Sequence, residues 1–263
     1  DIAKDAQFGE LEYNYEKCNH IRSYQPKPKI DESQIAEAAK LINGAKKPYI
    51  LFGQGIMLGS AEEEFKTFVE KSGIPAAWTI LGAPALDTNH PLNMGMLGMH
   101  GNYSPNILTN DCDVLIAIGM RFDDRVTGDL SRYAKQAKVV HLELDIAELN
   151  KIVKADAPVL GDVKDTLPLL TELVEKKDYS DWIAKFKELD KIEDEKVIQP
   201  EMYPTKEGMT MAEVVRILNE KTKDDAIFVT DVGQHQMFAS RYCKRHTTRC
   251  FVTSGGLGTM GFG

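Results

Sequence analysis

The sequence predicts an α/β protein, with a central doubly wound parallel sheet followed by a partial second α/β domain. Three observations carry this. Short apolar runs alternate with amphipathic helical patterns, as strands buried on both faces require. Glycine-bearing segments follow several of those runs, at the carboxyl edge where open α/β sheets bind ligands. Beyond a second proline-containing linker the same rhythm restarts, with too few strands to close a core.

Residues 1–7 read as the end of a preceding unit, with no helix start and no partner strand. Residues 8–30 hold Pro26 and Pro28, many aromatics and no period, which predicts an extended linker. From Asp31 the pattern changes: Asp31 or Ser33 can cap a helix over Ile35, Ala38, Ala39, Leu41 and Ile42, ending near Gly44. Strands are predicted over 49–52, 74–78, 114–118, 139–144 and 158–160 of a central unit, 31–177. Between them lie helices over 60–72, with Ser60 as cap and Glu62, Glu63 and Glu64 at its positive end, over 105–110, and over 162–176. Residues 178–207 read as a charged helix over 179–195, with Trp182, Ile183, Phe186 and Leu189 on one face, then a linker with Pro200 and Pro204. In 208–263 a helix over 210–221, a strand over 226–230, a helix over 236–242 and a strand over 249–253 make half a domain.

The hydrophobic share of 43% and charged share of 27% are ordinary for a soluble globular protein. A net charge of −8 argues against a nucleic-acid surface. The single basic cluster runs from Arg241 to Arg249 with Lys244, Arg245 and His246, and reads as a solvated loop or a subunit contact. The four cysteines (Cys18, Cys112, Cys243, Cys250) form no C-x-x-C pair, against a disulfide framework or zinc site. Cys112 and Cys250, in or beside apolar runs, read as small buried thiols. No run reaches membrane-span length and the first five residues are no signal peptide, so a cytoplasmic setting is expected.

Gly53-Gln54-Gly55-Ile56-Met57-Leu58-Gly59 follows the first run and precedes a helix, where a nucleotide phosphate or ribose would sit. Its spacing is not G-x-G-x-x-G, and the second run ends at Trp78-Thr79 rather than at an acid for a ribose hydroxyl. An ordinary NAD dehydrogenase is thereby disfavoured. Taken alone, a tight strand-to-helix turn explains the segment equally well. Gly119-Met120-Arg121-Phe122-Asp123-Asp124-Arg125-Val126-Thr127-Gly128 lies beyond the third run. Its arginines either form a self-satisfied ion-pair network or offer guanidinium forks to a diphosphate or planar ring. Leu97-Gly98-Met99-His100-Gly101 faces the same edge, with His100 reading first as a satisfied structural histidine. Asp231-Val232-Gly233-Gln234-His235-Gln236-Met237 opens a helix whose amides suit phosphate. Taken alone, N-capping by Asp231 is its simpler reading. The last eleven residues, 253–263, hold five glycines and no charge, so backbone amides there can approach a phosphate closely. Chain termini are usually polar and exposed, so this segment reads as a motif cut short.

Val232-Gly233-Gln234-His235-Gln236-Met237 followed by Thr253-Ser254-Gly255-Gly256-Leu257-Gly258-Thr259-Met260-Gly261 closely resembles the diphosphate-binding domain of thiamine-diphosphate enzymes, specifically the acetolactate (acetohydroxyacid) synthase catalytic subunit. Gly53-Gln54-Gly55, the 97–101 loop and the 119–128 loop resemble that family's central, Rossmann-like, FAD-binding domain. The resemblance covers essentially the whole chain. It assigns 1–7 to the end of a pyrimidine-binding domain, 31–177 to the FAD domain and 208–263 to the start of the diphosphate-binding domain.

The resemblance implies an enzyme of branched-chain amino acid biosynthesis. It would decarboxylate pyruvate and condense the hydroxyethyl unit with a second 2-oxoacid, with thiamine diphosphate as electron sink. FAD is then bound without net redox work, and Mg2+ joins the diphosphate to Asp and Asn oxygens. By position, Gly53, Gln54, Gly55, Thr79, Ile80, Leu97, Gly98, Met99, His100, Gly119, Arg121, Asp123, Arg125 and Val126 match the family's FAD contacts. Glu143, Leu144, Asp162 and Val163 match others near the adenosine end. Val232, Gly233, Gln234 and His235 would hold the thiamine diphosphate tail, with Gly258 and Met260 supporting the cofactor from below. Arg125 also resembles a residue at the entry to the substrate channel, where its charge attracts 2-oxoacid carboxylates.

The activating glutamate would lie before residue 1 and the G-D-G…N metal motif beyond Gly263. The chain by itself is therefore expected to be inactive, without catalytic residue or metal ligand, and to bind thiamine diphosphate poorly. The 31–177 unit is expected to fold alone and keep weak FAD affinity. Implied partners are a homodimer or homotetramer and a small regulatory subunit, with no nucleic acid and no membrane. Pyruvate oxidase, glyoxylate carboligase or a non-catalytic flavin- or nucleotide-binding module are the alternatives; the 120–128 and 233–237 runs favour the synthase among the enzymes. A sirtuin-type deacetylase would need a zinc cysteine cluster that these cysteines cannot form.

Overall fold

The computed structural model describes residues 2–18, 21, 26–205 and 207–263. Asp1 of the predicted 1–7 unit, Asn19, His20, Arg22, Ser23, Tyr24 and Gln25 of the predicted 8–30 linker, and Lys206 of the predicted 178–207 segment lie outside the described residues. The chain runs through α1 (Lys4–Gln7), α2 (Glu32–Gly44), β1 (Pro48–Phe52), α3 (Gly55–Leu58), α4 (Glu62–Ser72), β2 (Ala76–Trp78), a 3-10 turn (Ala83–Ala85), β3 (Asn93–Met96), α5 (Tyr103–Leu108) and β4 (Val114–Ile118). There follow α6 (Asp124–Thr127), β5 (Lys138–Glu143), β6 (Ala157–Leu160), α7 (Val163–Leu173), α8 (Ser180–Glu193), a π-helical turn (Asp194–Ile198), α9 (Gln199–Met202), α10 (Met211–Thr222), β7 (Phe228–Thr230), α11 (Gln234–Tyr242) and β8 (Phe251–Thr253).

Six strands form one parallel sheet in the order β3-β2-β1-β4-β5-β6. All five residues of β1 and all five of β4 are buried, as the unbroken apolar runs require of central strands. Side chains of β1 alternate between two helical layers. Phe52 packs on Phe65 of α4, ring centroids 4.7 Å apart, while Tyr49 packs on Phe186 of α8 at 5.1 Å. The predicted doubly wound parallel sheet is present, and β7 and β8 pair in parallel as a small second sheet.

Several local expectations are corrected. β3 carries no β-branched or aromatic residue and includes Gly95 at φ +95°, so no apolar run marks it; pairing with β2 across a register shift makes the strand. Residues 4–7 form a helical turn where none was expected, and helix continues through the π turn and α9 where the sequence suggested a linker. Asp31 caps α2, its carboxylate accepting the Ser33 amide. Ser60 does not cap α4: it sits at φ +53°, Ala61 takes the cap position, and the Ser60 hydroxyl meets Arg249 instead.

α8 is the structural addition that matters most for the central sheet. Trp182 Nε1 donates to Pro48 O at 2.9 Å and Phe186 is fully buried, so α8 covers the Tyr49 face although it lies outside 31–177. Phe186→Ala is expected to lower stability by ~3–5 kcal/mol in urea unfolding, because it opens a cavity under β1. A loss under about 1 kcal/mol would mean that α8 is not part of this core.

Candidate functional site at the carboxyl edge of the sheet

Strand order reverses between β1 and β4, the place where connections in open α/β sheets part to opposite faces and leave a ligand crevice. Backbone fills its floor. Gly53 N donates to Ile118 O (3.1 Å) and Gly55 N to Gly119 O (2.8 Å). A Cβ on Gly53 would lie 2.6 Å from Gly119 O, and one on Gly55 would lie 2.6 Å from Gly119 Cα. Gly119 itself sits at φ +58°. These three positions admit glycine only, because each backbone occupies the space of the other's side chain. The glycines are thus accounted for by loop packing, and the same packing leaves the crevice lined by main chain.

The remaining candidates of the central unit lie at strand ends or just beyond them. Buried Thr79 donates its amide to Phe52 O (3.0 Å), with Ile80 next to it at the mouth. Gly98, at φ +106°, and Met99 press on the start of α6, Met99 N donating to Arg125 O at 2.8 Å. Asn106 brackets Gly98 from both sides, its amide group bonding Gly98 N and O at 2.9 Å each. Met99 and His100 are exposed. The buried histidine of this sheet is His141, inside the 139–144 run, whose Nε2 lies 2.9 Å from Met120 O and whose ring meets Phe122 edge-on. Burial holds its pKa below the usual histidine value, so it is neutral at pH 7.

Asp123 caps α6 through the Arg125 amide (2.9 Å). Arg121 and Arg125 approach Asp123 and Asp124 only at 3.9 Å, with side chains 59% and 72% exposed. Such loose, solvated pairs contribute little, so both guanidinium forks remain available to a ligand. Val126 is half-buried beside them. Glu143 is turned onto its own backbone, accepting the Leu144 and Asp145 amides, and Asp162 caps α7 through the Lys164 amide. Leu144 is exposed and Val163 buried. The two carboxylates at the β5 and β6 ends are therefore already engaged.

In the second unit Asp231 does not cap α11. Its carboxylate accepts Gly261 N at 2.7 Å and Phe262 N at 3.1 Å, and these two amides hold its pKa below the usual aspartate range. The cap position falls to Gly233 at φ +152°, without a side-chain acceptor, so the first turn of α11 faces out with Gln234 and His235 exposed. Val232 and Gly258 are brought together, a Cβ on Gly258 reaching 4.0 Å from Val232 Cγ1, whereas Met260 is 80% exposed. Gly255 lies against Leu81, where an added Cβ would come within 2.7 Å of Cδ2. This contact joins the glycine-rich end of the chain to the β2 edge.

The basic cluster is a solvated loop only in part: Lys244, His246 and Arg249 are exposed, while its arginines are engaged within the chain. Arg241 pairs with Glu193 of α8, Arg249 donates to Met57 O (2.8 Å) and pairs with Glu62 (3.2 Å), and Arg245 is 1% exposed. Burial pushes the Arg245 pKa down to about 10. The spacing of four residues between Arg241, Arg245 and Arg249 is the one sequence signal of these contacts. Cys112, Cys243 and Cys250 are buried, and burial raises Cys112 and Cys243 to about 12. Among the described residues no His, Cys, Asp and Glu side chains converge as a metal site, and no helix is long and apolar enough to cross a membrane.

Residues 35–170 match the family model of the thiamine pyrophosphate enzyme central domain, and 231–263 that of the C-terminal TPP binding domain. The chain is 41% identical over its whole length to the probable acetolactate synthase large subunit of Methanocaldococcus jannaschii, covering 46% of that protein. It is 38% identical, again over its whole length, to the acetolactate synthase large subunits of Lactococcus lactis and Corynebacterium glutamicum, covering 45% and 42% of them. The chain spans about half the length of the curated relatives it matches. By sequence and fold the chain belongs to the thiamine pyrophosphate enzymes.

Proposed function

We propose that this chain is the FAD-holding unit and the start of the diphosphate-binding unit of an acetolactate synthase large subunit, acting on 2-oxoacids in the cytoplasm as a homodimer or homotetramer. The observation that carries this is similarity along the whole chain to proteins named acetolactate synthase large subunit. The site chemistry agrees. A crevice floored by Gly53, Gly55 and Gly119 admits close backbone approach, and Arg121 and Arg125 stand beside it as anion and ring partners. The two guanidinium groups are the donors a dinucleotide such as FAD needs, the three glycine amides being bonded within the sheet edge, and the absence of an acid after β2 argues against NAD.

Thiamine diphosphate, when bound, supplies the electron sink for decarboxylation of a 2-oxoacid. In this chain the uncapped first turn of α11, with Val232, Gly233, Gln234 and His235, would take the diphosphate, since free amides at a helix N-terminus favour anions. Gly258 and Met260 would flank it. Arg125 at the edge would draw substrate carboxylates in. No metal ligand and no catalytic residue of the reaction is proposed for this chain. A small regulatory subunit is an additional partner of this reading.

Titration of the chain with FAD, followed by flavin fluorescence, is expected to show saturable binding. Replacing both Arg121 and Arg125 by Ala should weaken it on the order of tenfold, because two charge-assisted contacts are lost. Unchanged affinity in the double variant, or no binding by the native chain, would remove the flavin reading.

Asp231 gives a separate pH test of the diphosphate loop. A carboxylate whose folded pKa is lowered contributes fully above its ordinary value, about 3.9, and loses its contribution as pH falls through the lowered one. The Gly261 and Phe262 amide resonances are therefore expected to stay constant from neutral pH down to about 4 and to move only below it. Asp231→Ala should move them already at neutral pH; a midpoint above about 5 would contradict the assignment.

A further inference from the structure

Arg245 is the largest fully buried side chain among the described residues. Its guanidinium lies 4.5 Å from the ring centre of Trp78 and 5.3 Å from that of Phe251. Nη2 donates to Ser240 O at 3.0 Å, in the last turn of α11, while Nε and Nη1 are buried without a hydrogen-bond partner. Its main chain is tied to the central unit twice: its amide donates to Thr88 Oγ1 (2.9 Å) and its carbonyl accepts the Thr88 amide (2.8 Å).

Burying a guanidinium without a carboxylate is unfavourable, and a hydrophobic side chain of like volume is often better for stability. What compensates here is geometric. The cation lies over two aromatic rings, and its charge sits at the negative end of the α11 dipole. One face belongs to β2 of the first sheet, whose next residues are Thr79 and Ile80. The other belongs to β8, which leads into the glycine-rich end. The same side chain holds the carbonyl end of α11, whose opposite end is the Gly233 turn.

We propose that Arg245 is a positioning residue: clamped between Trp78 and Phe251 and tied to the end of α11, it sets the second sheet against the carboxyl edge of the first. It thereby fixes where the Gly233–His235 helix start stands relative to Thr79 and Ile80. Naming these as cofactor segments rests on the function proposed above; the placement itself does not.

The test uses the full chain and two variants, Arg245→Met, which keeps bulk but no charge, and Arg245→Lys, which keeps charge but no planar guanidinium. Amide hydrogen exchange is measured without ligand. In both variants the hydrogen-bonded amides of Gln236 and Met237 and of Thr79 and Gly82 are expected to exchange roughly fivefold faster or more, while amides of β4 stay within about twofold of native. Lys is not expected to rescue, because it lacks the planar guanidinium. Exchange at both segments within about twofold of native would overturn the proposal, and so would equal acceleration throughout the chain, which marks a general loss of stability. Should one variant fail to fold, the other decides. FAD titration of the native chain separates the two readings: absent binding removes the flavin assignment and leaves the exchange result to judge Arg245.

Discussion

The contact of backbone on backbone between the segments leaving β1 and β4 is the constraint on which the rest of the edge depends. At the point where strand order reverses, Gly53 and Gly55 meet Gly119 with no room for a Cβ on any of them. At such a point the connections of open α/β sheets part to opposite faces and leave a ligand crevice, whose floor here is main chain. Arg121 and Arg125 stand at its rim because Gly119, at positive φ, turns the chain away from β4 towards α6. Gly98 and Met99 close the other side through their contact with α6. The chemistry of the edge thus follows from sheet topology and three missing side chains.

The second unit is attached to that edge by cations rather than by a shared apolar core alone. Arg241, Arg245 and Arg249 reach Glu193, Trp78 and Glu62 respectively, all in elements preceding residue 200. Exposed ion pairs contribute little, but two of these partners are nearly buried: Glu193 is 6% exposed and Trp78 2%. The outcome is that α11 meets the central sheet in a defined orientation, with its uncapped end turned outward.

Much of the fold was legible because its signals are local. The runs Tyr49 to Phe52 and Val114 to Ile118 are continuous in apolar character, and only strands buried on both faces read that way. Glycines of the candidate site were legible for the same reason, since each marks a backbone need at its own position. What escaped depends on distant partners. β3 exists through pairing with β2, α8 belongs to the core because Tyr49 and Pro48 receive it, and Asp231 abandons its cap for amides thirty residues away. Arg245 escaped most completely: nothing near it in sequence announces that two aromatic rings will enclose its charge.

The most direct measurement is the location of FAD on the chain, by amide chemical-shift mapping at saturation. The expected result is that the largest shifts fall at Gly53, Gly55, Gly98 and Gly119, with Arg121 and Arg125 beside them, around the reversal point. Shifts confined to the opposite, amino-terminal ends of the strands, near Lys47, Asp113 and Lys138, or to the outer face of α10, would contradict it.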